Sequence, residues 1–103
     1  MTFSPIVSIS ATELKRRMTN NEDLVILDVR LSDERNNFHI EGDSLNIPLE
    51  ELQQRISEIE PFRDREIIIY CRSGNRSGQA CMLLGREGFK TANLMGGLLK
   101  WIV

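Results

Sequence analysis

One histidine, His39, and two cysteines, Cys71 and Cys81, are all the imidazole and thiol ligands that this 103-residue sequence offers. Their spacing matches no zinc pattern, which argues against a closed metal site. No apolar run is long enough to span a bilayer, so no membrane segment is expected. Charge is also nearly balanced, at -2 with 27% charged residues. That balance leaves neither a basic stripe for nucleic acid nor an acidic tail. The stretch from Met1 to Val7 has no basic segment followed by a long apolar one, the mark of a secretory signal. Two cysteines in such a chain read as free thiols in a reducing, cytoplasmic setting rather than as a disulfide framework.

What is present suits one globular domain over residues 1–103, with a core large enough to need no disulfide. Ile6 to Ile9 is a short β-branched run. Ser10 and Glu13 have capping-box spacing and predict a helix over Ala11 to Met18. Leu24 to Leu27 is continuously apolar, as in a strand buried on both faces. Ser32 opens a short helix through Asn36, and His39 to Ser44 is a turn around Gly42. Leu45 to Ile47 is a further strand. Leu49, Leu52, Ile56 and Ile59 recur at helical spacing and predict one amphipathic helix ending before Pro61. Ile67 to Tyr70 is the second strongly apolar strand. Ser77 to Glu87 follows as a helix with Ala80, Cys81 and Leu84 inward, and Gly88 stops it. Lys90 to Leu94 is the last strand, before Gly96-Gly97 and a terminal helix closed onto the core by Trp101. Strands alternating with helices predict an α/β fold, a parallel sheet with helices on both faces.

In such a sheet, ligands gather outside the carboxyl ends of the strands. Asp28-Val29-Arg30 follows one buried strand and Cys71-Arg72 follows another, so both groups are expected on one edge. The loop between strand and helix is Cys71, Arg72, Ser73, Gly74, Asn75 and Arg76. Ser73, Gly74 and Asn75 tolerate the backbone angles of a tight turn. A turn of this kind aims successive amides at one point, and the following helix adds its positive end. Arg72 and Arg76 bring two charges that do not titrate away. Together these features predict a thiolate at Cys71, ionising below the ~8.5 of a free cysteine. The bland alternative, a buried small hydrophobe at a strand end, is weaker in such company.

Four stretches in order, "VILDVR", "HIEGDSLNIPLEEL", "IIIYCRSGNRSGQA" and "GFKTANLMGGLLKW", resemble a single-domain rhodanese from about Leu24 to Trp101. The resemblance implies a five-stranded α/β domain and sulfurtransferase activity. It makes Cys71 the nucleophile and persulfide carrier, with Arg72, Ser73, Gly74, Asn75 and Arg76 as its loop and Asp28 and Arg30 as supports. The implied partners are a small sulfur donor, thiosulfate or a persulfide, and a thiol or cyanide acceptor, a thioredoxin-like protein included. No cofactor is implied. Asp43-Ser44 gives one residue more than the commonest form of that turn, a change at the pocket rim.

Two other classes stay open. Cysteine phosphatases and arsenate reductases also set a cysteine after a strand and an arginine before a helix, often with a Ser next, as Ser77 is here. Their loop has five residues between the two, and this one has four. A regulatory binding module on the same fold is the other, though such modules commonly lack the cysteine. Among the remaining residues, His39 reads as a turn histidine bonded to the backbone rather than a catalytic partner. Cys81 reads as core packing rather than a resolving thiol, and Asp28 with Arg30 as a structural ion pair.

Overall fold

A computed structural model describes residues 6–102. Most of the Met1 to Val7 segment lies outside those residues. Five strands form one sheet in the order β1-β5-β4-β2-β3. They are β1 (Ser8–Ile9), β2 (Val25–Asp28), β3 (Leu45–Asn46), β4 (Ile67–Tyr70) and β5 (Thr91–Leu94). Every pairing is parallel.

The two central strands, VILD and IIIY, are buried at every position. Alternation along them divides the core. Val25, Leu27, Ile67 and Ile69 face one side, where Leu52, Ala80, Cys81 and Leu84 cover them. Ile26, Ile68 and Tyr70 face the other, against Leu14 and Leu98. Helices α3 (Leu49–Leu52) and α4 (Asn75–Arg86) thus cover one face, and α1 (Ala11–Thr19) and α5 (Gly97–Trp101) the other. A strand with helices on both sides has no use for alternating polarity, which explains its unbroken apolar sequence.

Local signals set the helix ends. Ser10 caps α1 by accepting the Glu13 amide at 3.1 Å. Helix α2 (Ser32–Asn37) buries none of its residues and is capped instead by Glu34, whose carboxylate accepts the Leu31 amide. The single helix expected from Leu49 to Ile59 is instead broken. After α3 the chain passes into 3-10 turns at Gln53–Glu58 and Glu60–Phe62, with Arg55 off helical angles at φ -115°, ψ 19°. Three-residue steps from Leu49 to Leu52 and from Ile56 to Ile59 suit a 3-10 turn as well as an α-helix. Pro61, which withholds an amide, sits within the second of these turns.

Candidate active site

β2 and β4 run side by side, Asp28 opposite Tyr70, so the residues after both strands share one edge of the sheet. Cys71 leaves β4 there and is only 1% exposed. The chain turns back at Gly74, whose φ of +108° suits glycine, and helix α4 starts at Asn75, two residues earlier than its sequence pattern indicates. The Gly74 amide donates to the Cys71 Sγ at 3.0 Å, and the Ser77 amide at 3.5 Å. The Ser77 hydroxyl lies 3.4 Å from the same sulfur. Burial works against ionisation of Cys71, but the Ser77 hydroxyl and the amides of Ser77, Gly74 and Ser73 outweigh it and hold the thiol below its ordinary range.

Asn93, at the end of β5, braces this arrangement. Its Oδ1 accepts the Ser77 hydroxyl at 2.5 Å, and its Nδ2 donates to the Gly74 carbonyl at 3.2 Å. From the next element, the Leu98 amide donates to the Cys71 carbonyl at 3.0 Å and the Leu99 amide to the Arg72 carbonyl at 3.1 Å. Gly97 permits that approach. A Cβ there would lie 2.5 Å from the carbonyl oxygens of Cys71 and Arg72.

The two loop arginines differ. Arg76 is half-buried and grips Glu34 through two bonds, at 2.6 and 2.8 Å. Its charge is therefore partly matched by Glu34, although it still acts on the Cys71 sulfur through space. Arg72 is exposed, and among the described residues no carboxylate pairs with it. Ser73 and Asn75 are exposed on the same loop. In return, Arg76 holds the Glu34 carboxyl down at about 2, with burial opposing and the Leu31 amide helping.

Asp28 and Arg30 form a buried pair at the end of β2, with the Arg30 guanidinium over the Tyr70 ring. Both Asp28 oxygens accept from the Arg30 guanidinium, at 2.9 and 2.8 Å, and Oδ1 also accepts the Arg30 amide. Arg30 further donates to the carbonyls of Glu34 and Phe38, tying the middle of α2 and its C-cap to the end of β2. The Tyr70 hydroxyl donates to Asp43 at 2.7 Å and receives the Ile40 amide at 3.1 Å. The extra turn residues are thus built in. Asp43 also pairs with Arg35, and the Ser44 hydroxyl accepts the Ile26 amide. His39 contacts the Ile40 carbonyl and the Asp43 carboxylate. Cys81 is buried on the inner face of α4, where burial pushes its thiol up to about 11.

Sequence reasoning reached Cys71, its loop and the Asp28–Arg30 pair. It missed Glu34, Asn93 and Gly97, and used Ser77 only as a likeness to phosphatase loops. A polar residue at the carboxyl end of a third strand was the available signal for Asn93.

A family model described as Rhodanese-like domain matches residues 10–103. A protein named Sulfurtransferase from Allochromatium vinosum is 38% identical over 94 residues, covering 90% of this chain and 85% of that one. Thiosulfate sulfurtransferase PspE of Escherichia coli is 35% identical over 72 residues, 70% of this chain and 68% of its own. Among solved structures, a rhodanese-related protein from Thermoplasma volcanium superposes with a TM-score of 0.83 at 32% identity, covering 93% of this chain and 90% of that one. The family match spans the Cys71 loop, Asn93 and α5 as well as the sheet, and the chain belongs to the rhodanese-like domain family.

Proposed function

We propose that this protein transfers sulfane sulfur through a persulfide on Cys71, with thiosulfate or a related compound as donor. One observation carries the reading: a buried sulfur at the carboxyl edge of a parallel sheet, with the Gly74 and Ser77 amides directed at it. The names of its relatives, sulfurtransferase among them, support the same class of reaction.

In the first step the Cys71 thiolate attacks the outer sulfur of thiosulfate. The S–S bond breaks and sulfite leaves with its electron pair. The transferred sulfur stays on Cys71 as a persulfide anion, in reach of the loop amides that favoured the thiolate. In the second step a nucleophile, cyanide or a thiolate, takes that outer sulfur and returns the Cys71 thiolate. Two half-reactions through a covalent intermediate give ping-pong kinetics. No general base is required, because the thiol is already disposed to ionise.

Arg72, exposed at the loop, attracts the anionic donor. Arg76 shapes the loop through Glu34. Asp28 and Arg30 act at one remove, holding α2 and with it the Glu34 that Arg76 grips.

The test is mass spectrometry after exposure to thiosulfate. Cys71 should gain one sulfur atom, which cyanide removes as thiocyanate, and Cys71→Ser should gain none. Hydrolysis of aryl phosphates by the unmodified protein, with no added sulfur under any donor tried, would sink the assignment in favour of phosphate chemistry.

A further inference from the structure

The Cys71 sulfur is surrounded by groups that favour its negative charge. The amides of Gly74 and Ser77 point at it, the Ser77 hydroxyl lies 3.4 Å away, and α4 begins at Asn75. Arg72 adds an exposed charge, and Arg76 acts on the sulfur through space. Each of these makes the thiolate easier to form, and each also makes it less reactive once formed. A thiolate loses nucleophilicity as its thiol becomes more acidic, with a Brønsted slope of about 0.4–0.5, and the best attacking thiol ionises near the working pH. Stabilisers alone would carry the site past that optimum.

Glu34 brings the opposing charge. Its two carboxylate oxygens accept from the Arg76 guanidinium at 2.6 and 2.8 Å. With its carboxyl held at about 2, Glu34 is charged throughout the neutral range. Neither helix depends on this pair alone. Arg30 and Arg35 also anchor α2, through the Glu34 and Phe38 carbonyls and through Asp43. α4 is packed by Ser77, Gly78, Ala80, Cys81 and Leu84. The remaining charges that face the pair are Arg30, which acts on Glu34, and Glu50, exposed on α3, which acts on Arg76. Arg72 shares a cavity wall with Glu34.

We propose that Glu34 is a positioning residue for the reaction: acting through Arg76, its charge limits the positive field at Cys71 and keeps the sulfur nucleophilic. It touches Arg76 and not the sulfur, so it takes no part in bond making. The inference rests on the reading of Cys71 as the nucleophile of the first half-reaction and deepens it. Without the Glu34 charge, Arg76 bears more fully on Cys71, and the thiolate forms at lower pH and attacks more slowly.

The experiment is alkylation of Cys71 by iodoacetamide across a pH series, followed at the Cys71 peptide by mass spectrometry. Iodoacetamide is neutral, so the charges of the loop neither attract nor repel it. Glu34→Gln keeps an acceptor oxygen for Arg76 and loses the charge, whereas Glu34→Asp keeps the charge on a shorter arm. In Glu34→Gln the midpoint should fall by about half a pH unit, the effect of one partly screened charge. The limiting rate above that midpoint should fall by roughly 1.5-fold. Glu34→Asp should keep the midpoint of the unaltered protein. A purely structural clamp predicts the reverse: the shorter arm disturbs the loop more, and the midpoint rises as the amides draw away from the sulfur. A midpoint unchanged or raised in Glu34→Gln, or lowered as far in Glu34→Asp, would overturn the inference. Should Glu34→Gln fail to fold, Glu50→Gln decides, because that exposed side chain also acts on Arg76. Its midpoint should fall by less than half a unit, and one that stays or rises overturns the inference. The readout needs no sulfur donor, so failure of Cys71 to take up sulfur would count against the persulfide reading alone.

Discussion

Ser77 carries one hydroxyl proton and has two claimants for it, the Asn93 Oδ1 at 2.5 Å and the Cys71 sulfur at 3.4 Å. While Cys71 is a thiol, the proton serves Asn93 and the Ser77 oxygen can accept from sulfur. A thiolate needs donors, and the hydroxyl is then free to turn towards it. Ser77→Ala should therefore raise the pH at which Cys71 becomes nucleophilic, and slow persulfide formation at neutral pH by roughly tenfold, the worth of one hydrogen bond to a charged group. Alkylation by iodoacetamide across a pH series measures this. Because the folded protein disfavours the protonated thiol, the rate in the unaltered protein should climb as pH rises through a midpoint below the ~8.5 of a free cysteine. A midpoint at the ordinary value would remove the physical basis of the mechanism. Cys81 supplies the contrast. Its thiol is pushed up to about 11 by burial, so it should resist alkylation, and Cys81→Ser should keep sulfur transfer within about twofold. Loss of turnover in a folded Cys81→Ser protein would make it a resolving thiol after all. At this scale the sequence was informative about Cys71, because a strand, a glycine turn and a helix are local features. Asn93 lies 16 residues from Ser77, and no local pattern joins the two.

Helix α2 is held in an unusual way for an element so close to the site. It buries no side chain, so apolar burial does not fix it. Arg30 reaching the Glu34 and Phe38 carbonyls, Arg35 reaching Asp43, and Glu34 reaching Arg76 do so instead. Glu34→Gln should loosen α2 from the loop, with a pH signature. Pairing with Arg76 holds the Glu34 carboxyl at about 2, below its ordinary 4.5. A carboxyl lowered by folding stabilises the fold fully above its ordinary value and loses that contribution as pH falls to the lowered one. The melting temperature of the unaltered protein should thus exceed that of Glu34→Gln at neutral pH, with the gap closing between about 4.5 and about 2. A gap that stays constant across that range would show that the pair adds no stability. Arg30→Ala should be costlier, about 3 kcal/mol by urea unfolding, because it leaves the buried Asp28 charge with only the more distant Arg35 and the Tyr70 hydroxyl. The segment after Pro48 shows where element-level reading falls short. Apolar spacing records which residues face the core, and Leu52 and Ile59 do so with no exposure, yet the same spacing is met by a helix broken at Arg55.

Across the whole molecule, unbroken apolar runs at Val25–Asp28 and Ile67–Tyr70 made the parallel sheet and its reactive edge legible in advance. The strand order was not legible, since it depends on β5 inserting between β1 and β4 rather than on any single segment. That order is what carries Asn93 and then α5 to the Cys71 loop. Gly97→Ala should disrupt this junction, because a Cβ there meets two backbone oxygens that cannot swing aside. The expected result is a protein that alkylates at Cys71 only near ordinary thiol pH, or one that unfolds at markedly lower urea; an unchanged profile in both measurements would mean that α5 is not needed at the site.

The dependence of Cys71 on α5 also has a direction in time. Asn93, Leu98 and Leu99 follow Cys71 in the chain, so the thiol acquires its surroundings only when the C-terminal segment docks. During refolding from urea, Cys71 should titrate like a free thiol until that segment packs, and early low-pH reactivity in the refolding chain would contradict this order of events.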